Sequence, residues 1–159
     1  MNDWQVGRSA EDSFKEAALL KGVLCEASSK DENMFSHIDF HITTRKSVDV
    51  KAMKRQEKSG DVQWEWTWVE FQNVRGSKGW LLGGADLIAF EVVDAFWIIN
   101  REALLKYCRK TIHNEYVDRA IDAKYRLYKR RGRDDVISMI HLPHLMDNLI
   151  SREKTVWNK

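Results

Sequence analysis

His37-Ile38-Asp39-Phe40-His41-Ile42-Thr43-Thr44-Arg45-Lys46-Ser47-Val48-Asp49-Val50-Lys51 is the stretch whose reading decides this chain. It holds two short β-type runs separated by a charged turn. In the first, 37–43, His37, Asp39 and His41 share one face, and Ile38, Phe40 and Ile42 share the other. In the second, 47–52, Asp49 and Lys51 share a face opposite Val48, Val50 and Ala52. Alternation with a period of two marks a half-buried strand. Paired as a hairpin, the runs lay their polar faces side by side. Asp39, Asp49 and Lys51 then converge.

That convergence has a chemical meaning. Two carboxylates held close repel one another unless a cation sits between them. Hard divalent cations take oxygen ligands and commonly keep waters and phosphate oxygens as well. A lysine two residues after the second carboxylate reaches the same place. There it can orient a water or neutralise charge growing on a phosphate. An aspartate, a gap and then Asp-x-Lys suit metal-dependent cleavage of a phosphodiester.

The pattern resembles the PD-(D/E)xK nuclease superfamily, which has the restriction-endonuclease-like fold. Asp39 matches the first acidic position, and Asp49-Val50-Lys51 matches the (D/E)-x-K. The short spacing is similar to that of phage-type, junction-resolving members. Ile38 stands where a proline often precedes the first acid, and the second acid is Asp rather than Glu. The likeness continues through Ala85-Asp86-Leu87-Ile88-Ala89-Phe90 and Phe96-Trp97-Ile98-Ile99-Asn100-Arg101-Glu102-Ala103-Leu104, and covers roughly residues 16–110. It implies an α/β fold with a central mixed β-sheet flanked by helices. It implies Mg²⁺ or Mn²⁺ held by Asp39 and Asp49, with the Val50 carbonyl and a glutamate of the first helix. Glu16 is the better match for that glutamate and Glu11 the weaker. A polar residue on the strand beyond Lys51 also belongs to such sites, and Gln72 or Glu70 fits. Lys51 would position or activate water.

The length of 159 residues suits one domain spanning 1–159, large enough to bury a core. With 43% hydrophobic and 31% charged residues, the composition is that of a globular chain. A net charge of +2 means that any basic surface is local. Cys25 and Cys108 have no metal or redox spacing, which suits a reduced, cytoplasmic protein. No apolar run is long enough for a membrane span, and the first residues do not read as a signal peptide.

Along the chain, 9–27 reads as a helix with Ser9 as N-cap and Phe14, Ala17 and Ala18 on its apolar face. A polar turn spans 28–33. The charged segment 54–61 is either a solvated loop or a phosphate-contacting one through Lys54 and Arg55. Residues 63–73 read as a strand with Trp64, Trp66 and Trp68 on one face, packing under a helix or stacking on bases. The glycine-rich 74–85 lacks the order of a nucleotide P-loop, which excludes an ATPase of that class. Its Arg75 and Lys78 suit a DNA backbone, and its glycines suit tight turns. Residues 86–92 and 95–100 read as strands and 101–111 as a helix. Residues 115–131 read as a helix or an extended arm. It ends in the densest basic cluster, Lys129, Arg130, Arg131 and Arg133, which is either a solvated end or a source of salt-dependent phosphate affinity. A last strand, 136–142, stops at Pro143, and a short helix follows over 144–151.

His37 and His41 flank Asp39 by alternation, but no third and fourth ligand appear in zinc-site spacing. One of them can support the site near neutral pH, or neither takes part. The resulting expectation is a divalent-metal-dependent DNA endonuclease, selective for DNA shape such as a branched junction and acting as a homodimer. A phage origin follows from the resemblance alone. The alternatives are a catalytically inactive DNA- or protein-binding module on the same fold, and an RNA-processing nuclease.

Overall fold

The computed structural model describes residues 3–20, 23–42 and 46–159. In chain order the elements are α1 (Asp3–Leu20), β1 (Cys25–Ala27), β2 (Phe40–Ile42), β3 (Ser47–Lys51), β4 (Lys54–Arg55), β5 (Val62–Gln63), β6 (Trp66–Gln72), β7 (Leu87–Glu91), β8 (Ala95–Asn100), α2 (Arg101–Thr111), β9 (His113–Val117), β10 (Arg126–Tyr128), β11 (Val136–His141), α3 (Leu142–Asn148) and β12 (Lys154–Asn158). The chain is mixed α/β and forms two compact units. One is built from 1–53, 84–101 and 150–159, the other from 54–83 and 102–149.

The first unit carries a six-stranded mixed sheet in the order β1-β2-β3-β7-β8-β12. β3 and β7 run parallel, and every other neighbouring pair is antiparallel. β7 and β8 are near-continuous apolar runs, as strands covered on both faces should be. Ile88, Ala89, Phe90, Phe96, Ile98 and Ile99 are buried. α1 packs on this sheet through Ala10, Phe14 and Ala17. Phe14 anchors it. Its ring stacks on Phe40 at 5.7 Å and Trp157 at 5.4 Å, and meets Phe96 edge-on at 5.4 Å.

The expected helix over 9–27 is revised at both ends. α1 begins before Ser9, which lies inside it, and the described part ends at Leu20. Residues 21 and 22 lie outside the described residues, and Cys25–Ala27 form an edge strand paired with β2. The expected strand over 37–43 is shorter. His37 is in the left-handed region (φ 55), so the extended run begins at Phe40. Thr43 and the rest of the turn to 45 lie outside the described residues. β12, which the sequence reading missed, pairs with β8 from Lys154↔Ile99 to Asn158↔Ala95.

The second unit carries a four-stranded sheet, β6-β11-β10-β9, and the small β4-β5 ladder. β6 pairs antiparallel with β11, and β9 with β10 in parallel. Alternation along β6 buries Thr67 and Val69 and leaves Trp66, Trp68, Glu70 and Gln72 half-exposed. Segment 115–131 is extended rather than helical. It contributes β9 and β10, with one short 3₁₀ turn at Ala120–Asp122 between them. Among the described residues, no helix is long and apolar enough to cross a membrane.

Candidate functional site

The β2–β3 hairpin brings the aspartates together. Phe40 pairs with Val48, so Asp39 and Asp49 stand opposite one another across the hairpin. The Asp39 N–H donates to the Val48 carbonyl at 2.9 Å, continuing the ladder past the end of β2. Directly opposed residues project to the same face of an antiparallel pair. Lys51, two residues on, projects to that face too, and its Nζ lies 2.6 Å from Asp49 Oδ1.

Both Asp39 oxygens are engaged. Oδ1 accepts from Asn33 Nδ2 at 2.6 Å, and Oδ2 accepts from the Val50 N–H at 2.6 Å. Asn33 comes from a π-helical turn, Glu32–Ser36, that closes on the left-handed His37. A left-handed non-glycine residue costs roughly 1–2 kcal/mol, and π-turns often mark functional sites. Asp39 is further held through its backbone, whose carbonyl accepts from the Ser28 N–H at 2.9 Å.

Asp49 is 3% exposed. Its Oδ2 is buried and meets no hydrogen-bond donor. Burial pushes its carboxyl up to about 7, Lys51 pulls it back, and the neighbouring Asp39 carboxylate adds to the rise. A buried carboxylate oxygen with no donor, facing a second carboxylate, is a place a cation fits. The two carboxylates offer oxygen ligands, the kind that Mg²⁺ and Mn²⁺ prefer. Among the described residues, no group of three or more His, Cys, Asp or Glu side chains gathers to hold a metal.

The helix glutamate is where the two alternatives separate. α1 buries Ala10, Phe14, Ala17 and Ala18, so Glu16 falls on the exposed face. Glu11 flanks the buried stripe. Its carboxyl is raised, first by burial and then by the charge of Asp39. Of the two, Glu11 is the one electrostatically joined to the aspartate pair. The hundred-degree step of a helix held this signal in the sequence, since residues 10, 14, 17 and 18 define the stripe.

The histidines do not flank Asp39 as a strand would place them. His37 sits in the left-handed turn, and burial first, then the Lys51 charge, hold its imidazole below the ordinary value. His41 Nε2 lies 3.0 Å from Glu32 Oε1. Asn33 was missed altogether. Its role depends on a π-turn that no local pattern announces.

The remaining expected site residues belong to the second unit. Gln72 Nε2 donates to the Asp134 carbonyl, and Glu70 shares its strand. Lys54 and Arg55 form β4. The Lys54 carbonyl accepts from Gln63 Nε2 at 2.9 Å, and that of Arg55 from Trp68 Nε1 at 3.0 Å. Arg75 and Lys78 are exposed on a turn organised by Asn73, whose Oδ1 accepts from the N–H groups of Arg75 and Ser77. The basic cluster is the turn between β10 and β11. Arg130 is ion-paired with the fully buried Asp135, and Lys129 lies 3.3 Å from Asp134. Arg131 and Arg133 are exposed there.

Compared with known proteins, the chain matches no family model, no curated sequence and no solved structure.

Proposed function

We propose that this chain is a divalent-metal-dependent DNA endonuclease of the restriction-endonuclease-like kind. One observation carries the reading. Asp49 is buried with an oxygen that has no donor, opposite Asp39 and ion-paired to Lys51. Building such a group without a use for it costs several kcal/mol of desolvation. Asp39, Asp49 and the Val50 carbonyl would hold Mg²⁺ or Mn²⁺, with Glu11 beside them. The metal supplies charge neutralisation for the attacking and departing oxygens.

The chain's own groups do the rest. Asn33 and the Val50 N–H fix the orientation of Asp39. Lys51, held at the mouth of the site, donates to a non-bridging phosphate oxygen and steadies the charge that grows there. In the reaction, a water oxygen bonds to phosphorus, one phosphorus–oxygen ester bond breaks, and the departing oxygen gains a proton. Exposed Arg75, Lys78, Arg131 and Arg133 suit the phosphate backbone in a salt-dependent, sequence-independent way. Selectivity for branched DNA, a homodimer and a cytoplasmic setting belong to this reading.

The test is cleavage with Mg²⁺ or Mn²⁺ on supercoiled plasmid, linear duplex, single strand and four-way junction. Wild type runs beside Lys51→Ala and Asp49→Asn. Cutting by wild type alone, abolished by EDTA, is the expected result. Inert wild type that still binds DNA would leave a binding module instead. That second reading has its own observation: both Asp39 oxygens are already satisfied by protein donors.

A further inference from the structure

We propose that one face of the β6-β11-β10-β9 sheet binds an unpaired DNA strand. Bases would stack on Trp66, Trp68 and Tyr128, and Lys124 and Arg126 would meet the phosphates. The commitment to DNA rests on the nuclease reading. The face itself is argued independently.

Register places the aromatics together. Trp66 opposes His141, Trp68 opposes Met139, and Ile137 opposes both Glu70 and Tyr128. Opposed residues share a face, so Trp66, Trp68 and Tyr128 lie on one side of the sheet. Trp68 and Tyr128 rings are 6.1 Å apart, and Trp66 lies 5.7 Å from Tyr125 and 5.0 Å from His141. The other side of the same strands carries Thr67, Val69, Ser138 and Ile140, all buried. On the aromatic side Met139 and Ile137 are buried as well, and the rings beside them keep only part of their surface in water. The outer, water-facing part of the rings is what a base would stack on.

Charge complements the rings. Lys124 Nζ sits 4.6 Å over the Trp66 ring. A cation–π contact between partly solvated groups is worth about 1 kcal/mol, so a phosphate can draw the ammonium off and free the indole face. Arg126, exposed on β10, makes a 3.8 Å contact with Glu115. The second unit has 15 lysines and arginines against 11 aspartates and glutamates, a net +4, while the first has 11 against 13. Tyr125, next to Lys124, is held in the left-handed region (φ 55). Its hydroxyl lies 3.0 Å from the Tyr107 hydroxyl and accepts from the His141 N–H at 3.2 Å. Strain of this sort in a bulky residue collects at ligand sites.

The experiment is fluorescence anisotropy with labelled oligothymidylate, a duplex of equal length and oligouridylate, in EDTA so that cutting is silent. Wild type, Trp66→Ala, Trp66→Phe, Tyr128→Ala and Lys124→Gln are compared after a melting curve for each. Expected are tightest binding to oligothymidylate, a loss of roughly five- to 150-fold in Trp66→Ala and Tyr128→Ala, and near-complete retention in Trp66→Phe. If Trp66→Ala does not fold, Tyr128→Ala decides. Folded variants that bind like wild type overturn the proposal, as does tighter binding to duplex or to oligouridylate. Variants that bind normally in a chain that cuts DNA would sink this face and leave the nuclease standing. Loss of strand binding in variants of a chain that never cuts would do the reverse.

Discussion

Lys51 Nζ lies 2.6 Å from Asp49 Oδ1, and the two side chains differ sharply in exposure, 21% for the lysine and 4% for the aspartate. The lysine keeps contact with water while neutralising a charge that has none. Removing it strands the charge. Lys51→Ala is therefore expected to destabilise the protein by about 3 kcal/mol at pH 8. The double variant Asp49→Leu, Lys51→Met, which removes both charges, should recover most of that loss. Urea unfolding measures both. Equal midpoints for wild type and Lys51→Ala at pH 8 would refute the coupling.

The same burial sets a pH dependence. Asp49 is raised from its ordinary 3.8 to about 7 in the folded chain. Between those values the folded state holds a proton that the unfolded state has lost. Stability from this group is therefore full below about pH 4 and falls as pH rises towards 7. The whole effect is on the order of 4 kcal/mol. Asp49→Asn should flatten this slope, and unfolding curves across the window would show it. A slope of the same size in both proteins would assign the pH dependence elsewhere.

In the proposed site a divalent cation would compete with that proton. At about pH 6 the metal-free site is largely protonated at Asp49, so binding of Mg²⁺ or Mn²⁺ should release about one proton. Titration calorimetry in two buffers of different ionisation enthalpy reads the number directly. At about pH 8.5 the release should vanish. A count that does not change with pH would mean that Asp49 is not the ligand that titrates.

Why the hairpin could be read from sequence and its surroundings could not is a matter of range. Alternation of His41, Ile42, Val48, Asp49 and Val50 is a local, period-two signal, and it located Asp39, Asp49 and Lys51 together. The β7 and β8 strands were legible from another local signal, short apolar runs, and α2 as the helix that opens with Arg101-Glu102 after them. Asn33 reaches Asp39 through a π-turn and a left-handed histidine, which leave no periodic trace. β12 was invisible because Lys154–Asn158 is a polar-flanked edge strand, defined by its pairing with β8 rather than by its own pattern. Glu11 was legible in principle, but family likeness favoured Glu16 over the helical stripe.

That choice can be tested. Glu11 is coupled to Asp39, while Glu16 lies on the exposed side of α1. Glu11→Gln should lower metal affinity and cleavage by roughly 10- to 100-fold, as loss of a supporting carboxylate does. Glu16→Gln should leave both unchanged. A larger effect at Glu16 would return the helix ligand to that position.

Gly79 and Gly132 make a paired prediction, because the structure needs each glycine for a different reason. Gly79 donates its N–H to the Phe71 carbonyl at 2.8 Å, and its backbone passes so close to β6 that an added Cβ would lie 2.3 Å from the Glu70 carbonyl oxygen. That obstacle is backbone, which cannot turn aside. Gly132 has open space around it but sits at φ +72 in the β10–β11 turn. Gly79→Ala should therefore cost about 2 kcal/mol or more through overpacking, and Gly132→Ala about 1 kcal/mol through strain. Asparagine tolerates the left-handed region, so Gly132→Asn should recover part of the loss, whereas Gly79→Asn should be worse than Gly79→Ala. Urea midpoints for the four variants separate the two causes. A Gly79→Ala protein as stable as wild type would mean that the Gly79 backbone lies farther from Glu70 of β6 than this close approach requires.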